Sequence, residues 1–180
     1  MRLLTAAFAV ITRVEELSLI GGILGIASLT ILNVLLRAVT GESLLFVGEI
    51  NRFLIVFVTF LGIGYGASQG RHIRMTALYD MLGPRPRKAA MIVICAGTSA
   101  LLFTLTWLSL RYIFGTVRVL GPVSPVLRVP LYLIYLSAPI GFFLGALQYL
   151  LALLRNLFEP GIYVSFERHD GYDESPPLEI

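Results

Sequence analysis

A chain of 180 residues, 57% of them hydrophobic and 14% charged, carries more apolar surface than one soluble core of that size can keep from water. Its mean hydropathy of +0.83 places it in a bilayer, and its short polar segments leave almost nothing for an extramembrane domain. The formal charge of +3 reflects the inner-leaflet preference of a membrane protein, with no nucleic-acid partner implied.

Residues 1–16 begin with Arg2, but the apolar run Leu3 to Ile11 is brief and is followed by Arg13, Glu15 and Glu16. This reads as an uncleaved lead-in, a short amphipathic helix at the interface, and not as a secretion signal. From Leu17 to Leu36 there is no Asp, Glu, Lys, Arg or His, and the same holds for Phe53 to Gly70, Ala89 to Leu110 and Val129 to Leu154. About 20 such residues, at roughly 1.5 Å each, cross the roughly 30 Å of a hydrocarbon core. The expected fold is an all-α integral membrane protein with four transmembrane helices in residues 17–154 and a polar cytoplasmic tail over residues 155–180. Spans empty of ionisable groups lack the usual means of moving protons, ions or charged solutes unaided.

Polar residues gather at the span ends. Asn33 and Arg37 stand one helical turn apart at the close of the first span, Glu42 follows in the loop, and Glu49 and Arg52 precede the second. A second helix starting near Leu44 carries Glu49 and Arg52 into the outer bilayer region, where an unpaired charge is costly. There they pair with each other, with Arg37 or with a neighbouring chain; otherwise they are solvated loop charges. Gly21 and Gly25, Gly62 and Gly66, and Gly141 and Gly145 recur at four-residue spacing, which lets helices approach closely within the bundle or against another subunit. The second span stops sharply at Gln69-Gly70-Arg71-His72-Ile73-Arg74, where His72 is an interfacial polar residue or a group titrating near neutral pH.

Trp107 and Tyr112 close the third span while Tyr132 and Tyr135 open the fourth, as rings at one headgroup boundary should. Between them Pro122, Pro125 and Pro130 predict an extended, stiff loop suited to docking, flanked by Arg111, Arg118 and Arg128. Pro139 predicts a local kink in the fourth helix. Lys and Arg are nearly twice as frequent in the N-terminal segment, second loop and tail as in the first and third loops, so both termini are expected in the cytoplasm. The lone Cys95 allows no intrachain disulfide. No metal-ligand cluster, paired-carboxylate site, nucleophile motif or phosphate-cradling loop is present, so neither an enzyme nor a cofactor is expected.

Taken together, Asn33-Val34-Leu35-Leu36-Arg37, Glu49-Ile50-Asn51-Arg52-Phe53, Phe60-Leu61-Gly62 and Gly70-Arg71-His72-Ile73-Arg74-Met75 resemble the small, Q-type membrane subunit of tripartite ATP-independent periplasmic (TRAP) transporters. The likeness extends over residues 17–154, although Phe46-Val47-Gly48 stands where that family often has a Trp and two adjacent acids. The resemblance implies a non-catalytic subunit of the bacterial inner membrane that braces a large multi-span permease subunit in sodium-driven uptake of an organic acid. A periplasmic substrate-binding protein would deliver the cargo. Asn33, Arg37, Glu49, Arg52, Gly62, Gly66 and His72 are then the candidates for contact with the large subunit, and Glu42 and Arg118 for contact with the binding protein. Two other classes fit four spans. A redox-enzyme anchor would need paired intramembrane histidines to hold haem, and a small dimeric exporter would need a membrane-embedded carboxylate.

Overall fold

The computed structural model describes residues 2–69 and 84–158, with side chains described over 10–69 and 86–158. The first helix, α1, runs without a break from Arg2 to Thr40, so the lead-in and the first span are one element. No proline interrupts this stretch, and the Arg13–Glu16 ion pair at 3.3 Å lies one turn apart along its surface. α1 ends where Gly41 adopts φ +78° and returns its N–H to the Arg37 carbonyl at 2.9 Å, a left-handed C-terminal cap.

Three residues later α2 begins, Leu45–Ser68. α3 starts on a proline, which lacks the N–H that a first helical turn leaves unpaired anyway, and covers Pro84–Tyr112. It does not stop at the charge that follows Leu110. A π turn, Ile113–Val117, and a last α turn, Arg118–Leu120, carry the helix on to Gly121, which closes it at φ +59°. The expected third loop is shorter by that length, and Arg111 and Arg118 ride on the helix, because a long arginine stem can lie along an apolar surface while its head reaches polar surroundings.

The fourth crossing is two pieces, α4 Leu131–Tyr135 and α5 Ser137–Phe158. The break falls at Leu136, just before Pro139, which cannot donate to the Tyr135 carbonyl and crowds it. Ser137 Oγ donates to Ile134 O at 2.7 Å across the joint. The helix is interrupted at Leu136, one turn before the position where Pro139 leads one to expect a kink. Among the described residues four helices are long and apolar enough to cross a membrane: Val10–Thr40, Leu45–Ser68, Pro86–Leu120 and Leu131–Phe158. All are longer than the charge-free stretches suggest. The third, 35 residues, reaches about 52 Å, well beyond a hydrocarbon core of roughly 30 Å.

The helices lie in a row. α1 packs on α2, α2 on α5, and α5 on α3, so the fourth crossing sits between the second and the third. Burial follows this order: 44% of residues in the best apolar window of the fourth crossing are buried, against 6% in that of α1. The core lies on the α5 seam, where Ala146 and Ala152 of α5 meet Met91, Cys95 and Leu102 of α3 and Ala67 of α2. Among the described residues the first and third crossings, at the two ends of this row, do not pack on each other to close it into a ring.

Candidate functional site

Where α1 hands over to α2, the hairpin is tied by amides. Asn33 Oδ1 accepts the Leu44 N–H at 2.8 Å, giving the α2 N-terminus an acceptor that Leu44 itself cannot supply. Further along, Asn51 Nδ2 donates to Thr30 Oγ1 at 2.9 Å. Asn33→Ala should lower the thermal midpoint of the purified subunit by the equivalent of about 1 kcal/mol, the usual cost of a lost cap. Asn33→Asp, which keeps the acceptor, should recover most of that loss in the same melt.

α2 begins at Leu45, so Glu49 lies one turn inside the helix. It is 8% exposed. The expected partners are not its partners: among the described residues no ion pair joins Glu49 to Arg52 or Arg37. Its carboxylate instead accepts the N–H of Leu127 at 2.7 Å and lies 3.5 Å from the N–H of Val126, both in the connection between α3 and α4. Glu49 points into the packing while Arg52 and Arg37 point out, and the turn offers backbone donors that would otherwise be left unpaired.

That connection is not extended. Val123 and Pro130 bridge in antiparallel fashion, Ser124 N–H donates to Val129 O at 2.9 Å, and Val129 N–H donates to Ser124 Oγ at 3.1 Å. Pro125 opens a turn in place of a straight run, and Leu131 N–H closes the loop on Pro122 O at 3.0 Å. Arg118 sits 5.9 Å above the Phe114 ring, and Glu42 is exposed in a small turn with Thr40.

At the opposite end of the row, Glu15 is 2% exposed and neither carboxylate oxygen has a hydrogen-bond partner. Sequence reading leaves this residue at the edge of the first span; the structure folds it into the packing, where Gly64 of α2 makes room for its carboxylate and Leu144 of α5 borders the same site. A side chain at position 64 would occupy the space that Glu15 fills. Arg13 turns the other way, toward Glu16.

The glycine pairs divide by role. Gly141 lets α5 settle on the backbone carbonyl of Phe60, and Gly145 faces Leu102 and Ile63. A Cβ at Gly62 would meet Leu19 of α1 at an ordinary 3.9 Å, Gly66 is half-buried, and Gly21 has open space, the tight α1 contact falling at Gly22 against Val58. Sequence reasoning missed the rest of the α5 stripe: Ser137, Gln148, Ala152 and Asn156 are buried and continue Gly141 and Gly145 at spacings of three or four. Recurrent small and polar residues in an otherwise apolar helix were the available signal. It missed Ser99 too, whose Oγ donates to Ala146 O at 3.1 Å across the α3–α5 seam. A groove of about 310 Å³ opens where the α4–α5 joint leaves α2, walled by Phe53, Phe57, Ile134 and Ile140. His72 lies outside the described residues, as do the rest of the second loop through residue 83 and the tail from residue 159.

The polar groups so placed tie helices to loops and to one another. No His, Cys, Asp and Glu cluster among the described residues could hold a metal. What these features define is a multi-pass helical membrane component in which several buried polar groups tie one helix or loop to another. The sequence pattern described as "Tripartite ATP-independent periplasmic transporters, DctQ component" matches residues 26–159, and the chain belongs to that family. It is 42% identical, over 92% of its length and 85% of the relative's, to the ectoine TRAP transporter small permease protein TeaB of Halomonas elongata. It is 28% identical to the isethionate TRAP transporter permease protein DctMQ of Oleidesulfovibrio alaskensis, over 57% of this chain and 16% of that much longer one. The protein is therefore a small TRAP permease subunit of the bacterial inner membrane, a transport component and not an enzyme. The redox-anchor and self-sufficient exporter readings end there.

Proposed function

We propose that this subunit braces a large multi-span permease subunit and moves no cargo itself. The observation that carries this reading is the single row of helices. A row has no interior in which to enclose a path, and its two uncovered apolar faces suit lipid on one side and a larger membrane partner on the other. The DctMQ relative, by its name a permease and mostly longer than the matched part, supports a large permease as that partner. Arg37 and Arg52 are exposed on the α1–α2 hairpin, and with Gly62, Gly66 and His72 they remain the contacts we assign to it. Asn33 and Glu49 act one step back, by holding the hairpin and the loop.

Uptake by the assembly is driven by sodium, with a periplasmic binding protein delivering a small solute that bears a carboxylate. Ectoine, named for the TeaB relative, is a zwitterion with a carboxylate and fits that class better than a simple acid does. Both termini face the cytoplasm, the first turns of α1 lie at the inner interface, and the 41–44 and 121–130 connections face outward, as the Lys and Arg distribution favours. Deleting the gene should abolish ectoine uptake by cells, and a plasmid copy should restore it. Uptake that persists in the deletion strain removes the brace from the account. A membrane-impermeant thiol reagent should label Arg128→Cys in intact cells of a Cys95→Ser background and spare a cysteine placed in the tail.

A further inference from the structure

Two carboxylates are buried among the described residues. Glu49 accepts backbone N–H groups, whereas Glu15, 2% exposed, has no partner at either oxygen. Its place is shaped by other helices: a Cβ at Gly64 of α2 would fall on Oε1, and Leu144 of α5 borders the same space. Among the described residues no cation faces it. On α1, Arg13 lies at the surface and pairs with Glu16. α2 carries no charged residue from Phe53 to Ser68, its nearest titratable group in sequence being Tyr65. α5 carries none from Ser137 to Leu154, and its Tyr149 belongs to the seam with α3. One carboxylate among glycine and aliphatic side chains does not supply the several oxygens that a hard metal ion needs. An ionised carboxylate so enclosed bears a desolvation cost that nothing around it offsets, and a bound proton removes that cost.

α1 is also the helix least held by the row, with 6% of its best apolar window buried. Gly21 and Gly22 stand together on the C-terminal side of Glu15, where paired glycines ease bending, and Gly22 is seated against Val58 of α2. We propose that Glu15 is a proton-binding site, and that its proton latches the N-terminal half of α1 onto α2 and α5. With α1 docked, the carboxyl is neutral and enclosed. Once its proton passes to water, the ionised group is satisfied only in polar surroundings, and the segment before Gly21 swings outward about the glycine pair. The docked form holds one proton more than the released form, so docking is complete in acid and is lost as pH rises. The latch is a property of this chain by itself and does not depend on the bracing role.

The test uses the full chain in neutral phosphatidylcholine nanodiscs. At about pH 6, where solvated carboxyl groups are ionised, the infrared spectrum of wild type should show the carbonyl band of a neutral carboxylic acid, and Glu15→Gln should lack it. Nitroxide labels at Val14→Cys and Thr59→Cys, exposed positions on α1 and α2, report the separation of the two helices in a Cys95→Ser background. As the pH is raised from about 5 to about 9, wild type should populate a longer separation, its ratio to the short one growing by up to about tenfold per pH unit. Glu15→Gln should keep the short separation throughout. A wild-type spectrum without the neutral-acid band at about pH 6 overturns the proposal. So does a wild-type separation that does not change with pH, or a change that Glu15→Gln shows equally. The two wild-type readings decide the matter even where Glu15→Gln fails to fold.

Discussion

Gly141→Ala is expected to destabilise the subunit by about 3 kcal/mol, at the upper end of overpacking penalties, although it adds one methyl group. The new Cβ would fall on the Phe60 carbonyl, a backbone group of α2 that no rotamer change can move aside. α5 would have to withdraw from α2, and α5 is the helix that joins α2 to α3. The edge-on contact of Phe60 with Phe142, 5.3 Å between ring centres, would open with it. The check is a thermal melt of the purified subunit in detergent beside Gly97→Ala. Gly97 has open space around it, so that variant should melt within about 0.5 kcal/mol of wild type. Equal melts for the two would mean that α5 and α2 do not approach as closely as this packing requires.

Glu15→Lys should release the N-terminal half of α1 from the row. The carboxylate fits a space that exists because residue 64 is glycine, bordered by Leu144, and a longer cation has neither the room nor a described partner there. Burying an unpaired ammonium costs several kcal/mol, more than the sparse α1 packing supplies, so α1 should swing away before the lysine is buried. Cysteines introduced as Leu19→Cys and Gly62→Cys, in a Cys95→Ser background, should be bridged by a short bifunctional thiol reagent, since a Cβ at position 62 would lie 3.9 Å from Leu19 Cδ2. Glu15→Gln, nearly isosteric, should keep the crosslink and Glu15→Lys should lose it. A crosslink of equal yield in both would show that Glu15 is not enclosed.

The four crossings were legible because a bilayer enforces one rule, that charge stays out of hydrocarbon, and runs such as Phe53 to Gly70 obey it visibly. The same rule misplaced the ends. Arg111 reads as a boundary, yet the helix passes it by nine residues, because a flexible cation outside the core does not stop a helix and only Gly121 does. Glu15 reads as interfacial for the same reason, and nothing beside it in the sequence reveals that Gly64, about fifty residues on, makes a space for it.

The order of helices in the row was not legible either. In lipid the outward faces are as apolar as the inward ones, so hydrophobicity does not mark which side packs. The marks that existed were small and polar residues, and of these the Gly141–Gly145 pair was readable while Gln148 and Asn156 passed as incidental. Glu49 was read as a charge that either pairs with a nearby side chain or another subunit or stays solvated. Its partner was a backbone 78 residues away in the chain, and spacing arguments see only side chains nearby. Membership of the TRAP small-subunit family was legible in the order of several short motifs, none of them specific alone.

Flux in proteoliposomes tests the account most directly. Three preparations are compared under an inward sodium gradient with the binding protein and radiolabelled ectoine: this subunit alone, the large subunit alone, and both together. The account predicts no uptake above empty liposomes for this subunit alone and full uptake only when both are present. Gradient-driven uptake by this subunit alone would contradict it, because a single row of helices would then be carrying cargo that it has no interior to hold.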